Sequence, residues 1–340
     1  MSVEQPSKLV SGKLPLQKIV LGTRGSELAL AQARMVAQAL ERAWPSLNVA
    51  IEIIRTLGDE KAIPIKNASP ARTDESRPES TKVTSGSLDS GRGERKAGRK
   101  GIFTAELEGA LVGKRIDVAV HSAKDLASES DPALTITAVL PRGAVEDLLL
   151  RRSAIPAPAT IIATGSVRRQ RQVLWTDPSA RVIPLRGNVP TRLRKFIQSN
   201  WDGIILARAG LERLGFSASQ FEFEGQKMFA EILPLEKFVP AGGQGVVALQ
   251  TRTSDSWVRE MVSAIDHHET HLCLRTEREF LRRLHGNCDL PVGAHARVVN
   301  AEIELRVQLF GDAAVPKMAS GYGKDPEQLA TEMFQKLEHE

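Results

Sequence analysis

"DVAVHSAKDLA" runs from Asp117 to Ala127. Val118 and Val120 alternate with other residues as in a strand bound for a core, and then His121, Ser122, Lys124 and Asp125 arrive together. Similar units lie on either side. "KIVLGTRGSELALAQARMVAQAL" precedes it from Lys18. "TIIATGSVRRQRQVL", "ARVIPLRGNVPTRLRKFI" and "DGIILARAGLERLG" follow, each an apolar run, a polar turn and an amphipathic helix. Strands alternating with helices imply parallel sheets covered on both faces. Ligands of such sheets sit beyond the carboxyl ends of the strands, where each of these polar turns falls. The expectation from about Lys18 to Gly245 is a doubly wound α/β fold.

From about Asp266 the pattern changes. "CLRTEREFLRRL" is helical, and "AEIELRVQLF" alternates strictly, with Ile303, Leu305, Val307 and Leu309 on one face of a half-buried antiparallel strand. "DPEQLATEMFQKL" opens a last helix. Asp325 suits its N-cap, Pro326 its first turn, and Leu329, Met333 and Leu337 share a face. This is a small α+β unit. The stretch from about Ala68 to Arg99 is nearly devoid of apolar residues, so it reads as a disordered loop. Its basic end could suggest nucleic acid, but no aromatics interleave to stack bases.

A chain of 340 residues, 41% hydrophobic and 26% charged, can build two or three domains with real cores. No apolar run approaches the roughly 18 residues of a membrane span, and the first residues lack the apolar core of a signal peptide. The expected setting is the cytoplasm, with no membrane partner. Cys273 and Cys288 cannot make a disulfide framework, and without CxxC or HExxH no metal site is expected. A net charge of +5 points to anionic partners.

The arginines stand where helix dipoles disfavour them. Helix N-termini carry partial positive charge. Yet Ser166, a good N-cap, puts Arg168 and Arg169 in a first turn; Asn188 and Pro190 do the same for Arg192; Arg186 ends a strand; and Arg24 precedes the cap residue Ser26. Repeated breaches of a local rule mark a functional site. A bound anion resolves the conflict, because helix amides and guanidiniums can hold the same carboxylate or phosphate. Phosphate loops fit poorly. "GQGVVA" matches GxGxxA, but no acidic residue follows at the required distance. Amid such cations a carboxylate such as Asp125 stays ionised and can stabilise a cationic intermediate. His121 reads as a base or as a hydrogen-bonded structural histidine. Cys273 shares a helical face with Glu277, Phe280, Leu281 and Leu284 and reads as packed, whereas Cys288 in "HGNCDLP" sits in a loop open to covalent chemistry.

"LGTRGSELALAQ", "KGIFTAELE", "DVAVHSAKDLA", "GSVRRQRQVL", "LRGNVPTRLRK", "LARAGLERLG", "PAGGQGVVALQTR" and "LHGNCDLPVGAHA" occur in this order from about Ile19 onward. Together they resemble the porphobilinogen deaminase (hydroxymethylbilane synthase) family. The resemblance implies two doubly wound domains of periplasmic-binding-protein type around a cleft, with a small C-terminal α+β domain. The boundaries expected are 17–140 with 237–258, an insertion at about 68–99, then 141–236, and 259–340. It also implies head-to-tail polymerisation of four porphobilinogen molecules to hydroxymethylbilane, with ammonia released at each addition. The chain would grow on a dipyrromethane cofactor held by a thioether at Cys288. On this resemblance Asp125 is the catalytic residue. Lys124, Ser166, Arg168, Arg169, Arg186 and Gly187 hold the cofactor, and Arg24, Ser26, Gln32, Arg192, Lys100 and Phe103 face substrate. Glu27 stands where proline is common, and Arg99 replaces one of two glycines before Lys100. A monomer is expected. The competing class is a non-catalytic sensor of organic anions, which would need neither Asp125 nor an adduct on Cys288.

Overall fold

The computed structural model describes residues 18–55, 104–129, 131–154, 161–284 and 290–339. Lys100, Phe103, Cys288 and the insertion at 68–99 lie outside the described residues. Among the described residues no helix is long and apolar enough to cross a membrane.

Among the described residues three sheets organise the fold. The first unit comprises β1 (Lys18–Thr23), α1 (Glu27–Ala43), β2 (Asn48–Ile53), α2 (Ala105–Val112), β3 (Val118–Ser122) and β4 (Leu134–Val139). The second comprises β5 (Asp147–Arg151), β6 (Ile161–Ala163), α3 (Val167–Thr176), β7 (Arg181–Ile183), α4 (Val189–Ile197), β8 (Gly203–Ala207), α5 (Arg208–Glu212), β9 (Gln220–Phe223) and β10 (Gln226–Ile232). The chain then returns as β11 (Val247–Arg252) and α6 (Ser256–Ser263), which complete the first unit. α7 (His268–Arg283), β12 (Val292–Val299), β13 (Glu302–Leu309), β14 (Lys317–Gly323) and α8 (Pro326–His339) form the third.

In the first sheet the order is β2-β1-β3-β11-β4, with β1, β2 and β3 parallel and β11 antiparallel to both its neighbours. The second sheet runs β7-β6-β8-β5-β10-β9. The chain thus passes from the first doubly wound unit into the second and returns β11 to the first sheet. Continuous apolar runs explain these central strands: Val118, Val120, Val247 and Leu249 are buried in the first sheet, and Leu148, Leu150, Ile204 and Leu206 in the second. The third sheet is an antiparallel meander, β12-β13-β14, whose alternating residues Ile303, Leu305 and Val307 pack on α7 and α8.

Two segments cross between the doubly wound units. They run side by side, with the Gly143 N–H donating to the Gly245 carbonyl (3.0 Å) and the Leu140 N–H to the Val247 carbonyl (3.1 Å). Gly243 and Gly245 have φ of +77° and +84°, which suits glycine. A Cβ on Gly243 would lie 2.9 Å from the Ala123 carbonyl carbon and the Lys124 nitrogen, so the crossover rests directly on the backbone at the end of β3. The glycines read as a weak GxGxxA pattern thus serve close packing.

Candidate active site

Four strand ends converge here. After β1, Ser26 caps α1, with its Oγ accepting from the Ala29 N–H at 3.3 Å, and Arg24 stands in the turn before it. After β3 the chain closes one 3-10 turn, Ala123–Asp125. After β6, Ser166 caps α3, which places Arg168 and Arg169 in its first turn. After β7, Asn188 caps α4 through the Thr191 N–H (2.9 Å), and Arg192 turns back so that its Nε donates to the Gly187 carbonyl at 2.7 Å. Gly187 has φ +124°, and a Cβ there would strike the Thr191 side chain. Lys195 ties down the Arg186 carbonyl at 2.9 Å, leaving the Arg186 side chain exposed at the rim.

The 3-10 turn binds these ends into one field. Burial lowers Lys124 to about 8; Asp125 and Asp147 oppose the shift, while Arg169 and Arg192 reinforce it. Burial likewise lowers Arg192 to about 10, aided by Arg169 and Arg186 and opposed by Asp125. The site thus carries positive charge that Asp125 and Asp147 offset only in part. Among the described residues the Asp125 carboxylate has no hydrogen-bond or ion-pair partner, so it is open to a ligand's donors.

Arg168 and Arg169 differ from mobile surface arms. Both are 5% exposed, and both donate to one buried carboxylate: Arg168 Nη2 to Asp147 Oδ2 at 2.9 Å and Arg169 Nη2 to Asp147 Oδ1 at 2.7 Å. Arg168 Nη1 also reaches Gln172 and the Val239 carbonyl, and Arg169 Nη1 reaches the Ile205 carbonyl. The Nε of each is buried with no partner among the described residues. Asp147 was not singled out by sequence reasoning. The signal, an acid opening an apolar strand in "EDLLLRR", is weak on its own.

Gln32 is buried, and its side-chain amide exchanges hydrogen bonds with the Ser122 hydroxyl at 2.9 and 3.1 Å, fastening α1 to the end of β3. His121 is 4% exposed and lies 3.0 Å from Gln250 Oε1. Burial lowers it to about 4, against the Gln250 bond and Asp125. This is the hydrogen-bonded structural histidine, not a base. Cys273 is buried and burial raises its thiol to about 11, so it is a poor nucleophile. Arg213, overlooked in the sequence, donates to the Gly245 carbonyl at 2.6 Å beside the crossover.

A group with several carboxylates fits this site. It would add to the partial counter-charge on Lys124 and Arg192 and meet the Nε–H groups of Arg168 and Arg169 that have no partner among the described residues.

Sequence comparison agrees. Residues 19–70 and 79–260 match the family model described as porphobilinogen deaminase, dipyromethane cofactor binding domain, and residues 271–338 match porphobilinogen deaminase, C-terminal domain. The porphobilinogen deaminase of Chloroherpeton thalassium is 36% identical over 310 residues, 89% of this chain and 87% of its own length. That of Syntrophomonas wolfei is 38% identical over 295 residues, 86% and 84% of the two chains. The chain belongs to the porphobilinogen deaminase family.

Proposed function

We propose that the protein is a transferase that joins four porphobilinogen molecules head to tail into hydroxymethylbilane, releasing one ammonia at each addition. The observation that carries this reading is the Asp125 carboxylate, without a hydrogen-bond partner among the described residues, in the same turn as Lys124 and acting on Arg192. Each pyrrole bears an acetate and a propionate, so the growing chain is a polyanion, and the cations hold its periphery. A carboxylate beside the pyrrole nitrogens then offsets the positive charge that develops as ammonia leaves. Such preorganised electrostatic groups contribute the largest share of many rate enhancements.

A dipyrromethane attached at Cys288 would supply the carbon nucleophile on which the chain is extended. Lys124, Ser166, Arg168, Arg169, Arg186 and Gly187 would hold its carboxylates. Arg24, Ser26 and Arg192, with Lys100 and Phe103, would receive the incoming substrate, while Gln32 acts through Ser122. Asp125 accepts from pyrrole N–H groups at its carboxylate oxygens. The setting is the cytoplasm, and the unit is a monomer.

Intact mass of the purified protein tests this reading. The expected excess is that of two linked pyrroles, lost in Cys288→Ser and retained in Cys273→Ser. The opposite pattern would move the attachment, and a bare polypeptide mass with no turnover would leave the organic-anion sensor in its place.

A further inference from the structure

We propose that Asp147 is a positioning residue for the cofactor-binding arginines, holding both guanidiniums by their distal nitrogens so that their Nε–H edges face the ligand. The inference rests on the deaminase reading. Asp147 opens β5, a strand held on both sides: it pairs with Ala207 of β8, and its carbonyl accepts from the Leu233 N–H at 2.9 Å. Its side chain is fully buried. One oxygen takes Arg168; the other takes Arg169 and Gln244 Nε2, the latter at 2.8 Å. Gln244 lies in the crossover between Gly243 and Gly245, and its amide also donates to the Val145 carbonyl at 2.6 Å. One carboxylate therefore joins the first turn of α3 to both crossing segments.

The consequence is geometric. With Nη2 of each arginine committed to Asp147 and Nη1 to carbonyl oxygens, neither side chain can swing out to seek a ligand. The Nε of each is the guanidinium nitrogen that is buried without a partner among the described residues. A guanidinium held this way loses little freedom on binding, which favours affinity. Asp147 also balances charge. Lys124 is faced by Asp125 in its own turn, Asp147 from β5, Arg169 from α3 and Arg192 from α4. Neutralising Asp147 leaves a single acid, Asp125, against two guanidiniums around that amine.

Asp147→Asn tests the proposal, since it keeps the side-chain shape and removes the charge. Two readouts go beyond loss of activity. One is the fraction of purified protein carrying the pyrrole adduct, by intact mass. The other is the pH midpoint for acylation of Lys124 by acetic anhydride, quantified on its peptide. The expected result is a cooperatively folded variant with a depleted adduct fraction and kcat/KM down about 10- to 100-fold, as misplaced binding groups produce. The Lys124 midpoint should fall below the midpoint measured for the wild type. An unchanged midpoint with an unchanged adduct fraction would overturn the proposal, even if stability fell. If Asp147→Asn does not fold, Gln244→Met removes one bond to the carboxylate and should move the adduct fraction the same way by less; no movement overturns the proposal. A wild-type protein without adduct or turnover refutes the deaminase reading instead, and the Lys124 midpoint then decides on Asp147 alone.

Discussion

Asp125 shares a single 3-10 turn with Lys124, and guanidiniums from α3 and α4 act on that turn. On the proposed reading this carboxylate acts electrostatically. Asp125→Asn should fold with an unchanged melting curve and lose roughly 100-fold or more in kcat, the scale of a lost transition-state charge; turnover near wild type would remove Asp125 from the chemistry. His121, close by, has a different part. Burial lowers it to about 4 from an ordinary 6.5, so the unfolded chain binds more protons between those values. Its contribution is complete above about pH 6.5 and is lost as pH falls towards 4, on the order of 3 kcal/mol. Urea midpoints measured from pH 7 to 4.5 should therefore fall more steeply in wild type than in His121→Gln. His295, lowered to about 3 by burial and by Arg142, Arg297 and Arg306, adds to the acid limb in both proteins.

At the scale of elements, the caps of α1, α3 and α4 could be read in the sequence because capping is local. Ser26, Ser166 and Asn188 each accept from an amide three residues on, and this fixes where the arginines fall. Strand–helix alternation was legible for the same reason, since its periods are carried by neighbours in the chain. The fastening of Gln32 to Ser122 was not, because its partners are 90 residues apart. Nor was the bearing of the crossover on the turn at Ala123–Lys124, which depends on the antiparallel pairing of β11 with β3. That bearing can be tested. Gly243→Ala places a methyl group against fixed backbone at a φ of +77°, so it should lower stability by about 1–3 kcal/mol and reduce kcat. Chemical denaturation and turnover measured together check it. A stable, fully active alanine variant would show that the turn and the crossover are independent.

Over the whole molecule, the third unit is fixed by Glu277 of α7. Its buried carboxylate accepts from Arg142 Nη1 at 2.6 Å, from the Gly243 N–H at 2.6 Å and from the Ala296 N–H at 2.7 Å, so both crossing segments and β12 meet on one side chain. The sequence reading put Glu277 on a helical face without a partner, since Arg142 is 135 residues away. Asp147 was hidden similarly: a carboxylate that serves two arginines and a crossover glutamine is recognisable only once three elements are in place. Removing the Glu277 carboxylate takes the partner from Arg142 Nη2 and from two backbone amides. Glu277→Ala should cost about 3–5 kcal/mol, read as a lowered midpoint or as a separate early transition in denaturant. The seating of Gly243 against the Ala123–Lys124 peptide has a mechanical corollary. Points beside a pivot travel least when the bodies it joins rotate. If the two halves rock about their paired connections, the reactive carboxylate stays nearly stationary while the walls around it move. Each new ring is then accommodated by shifting the oligomer past a fixed charge, so the same group can serve every addition.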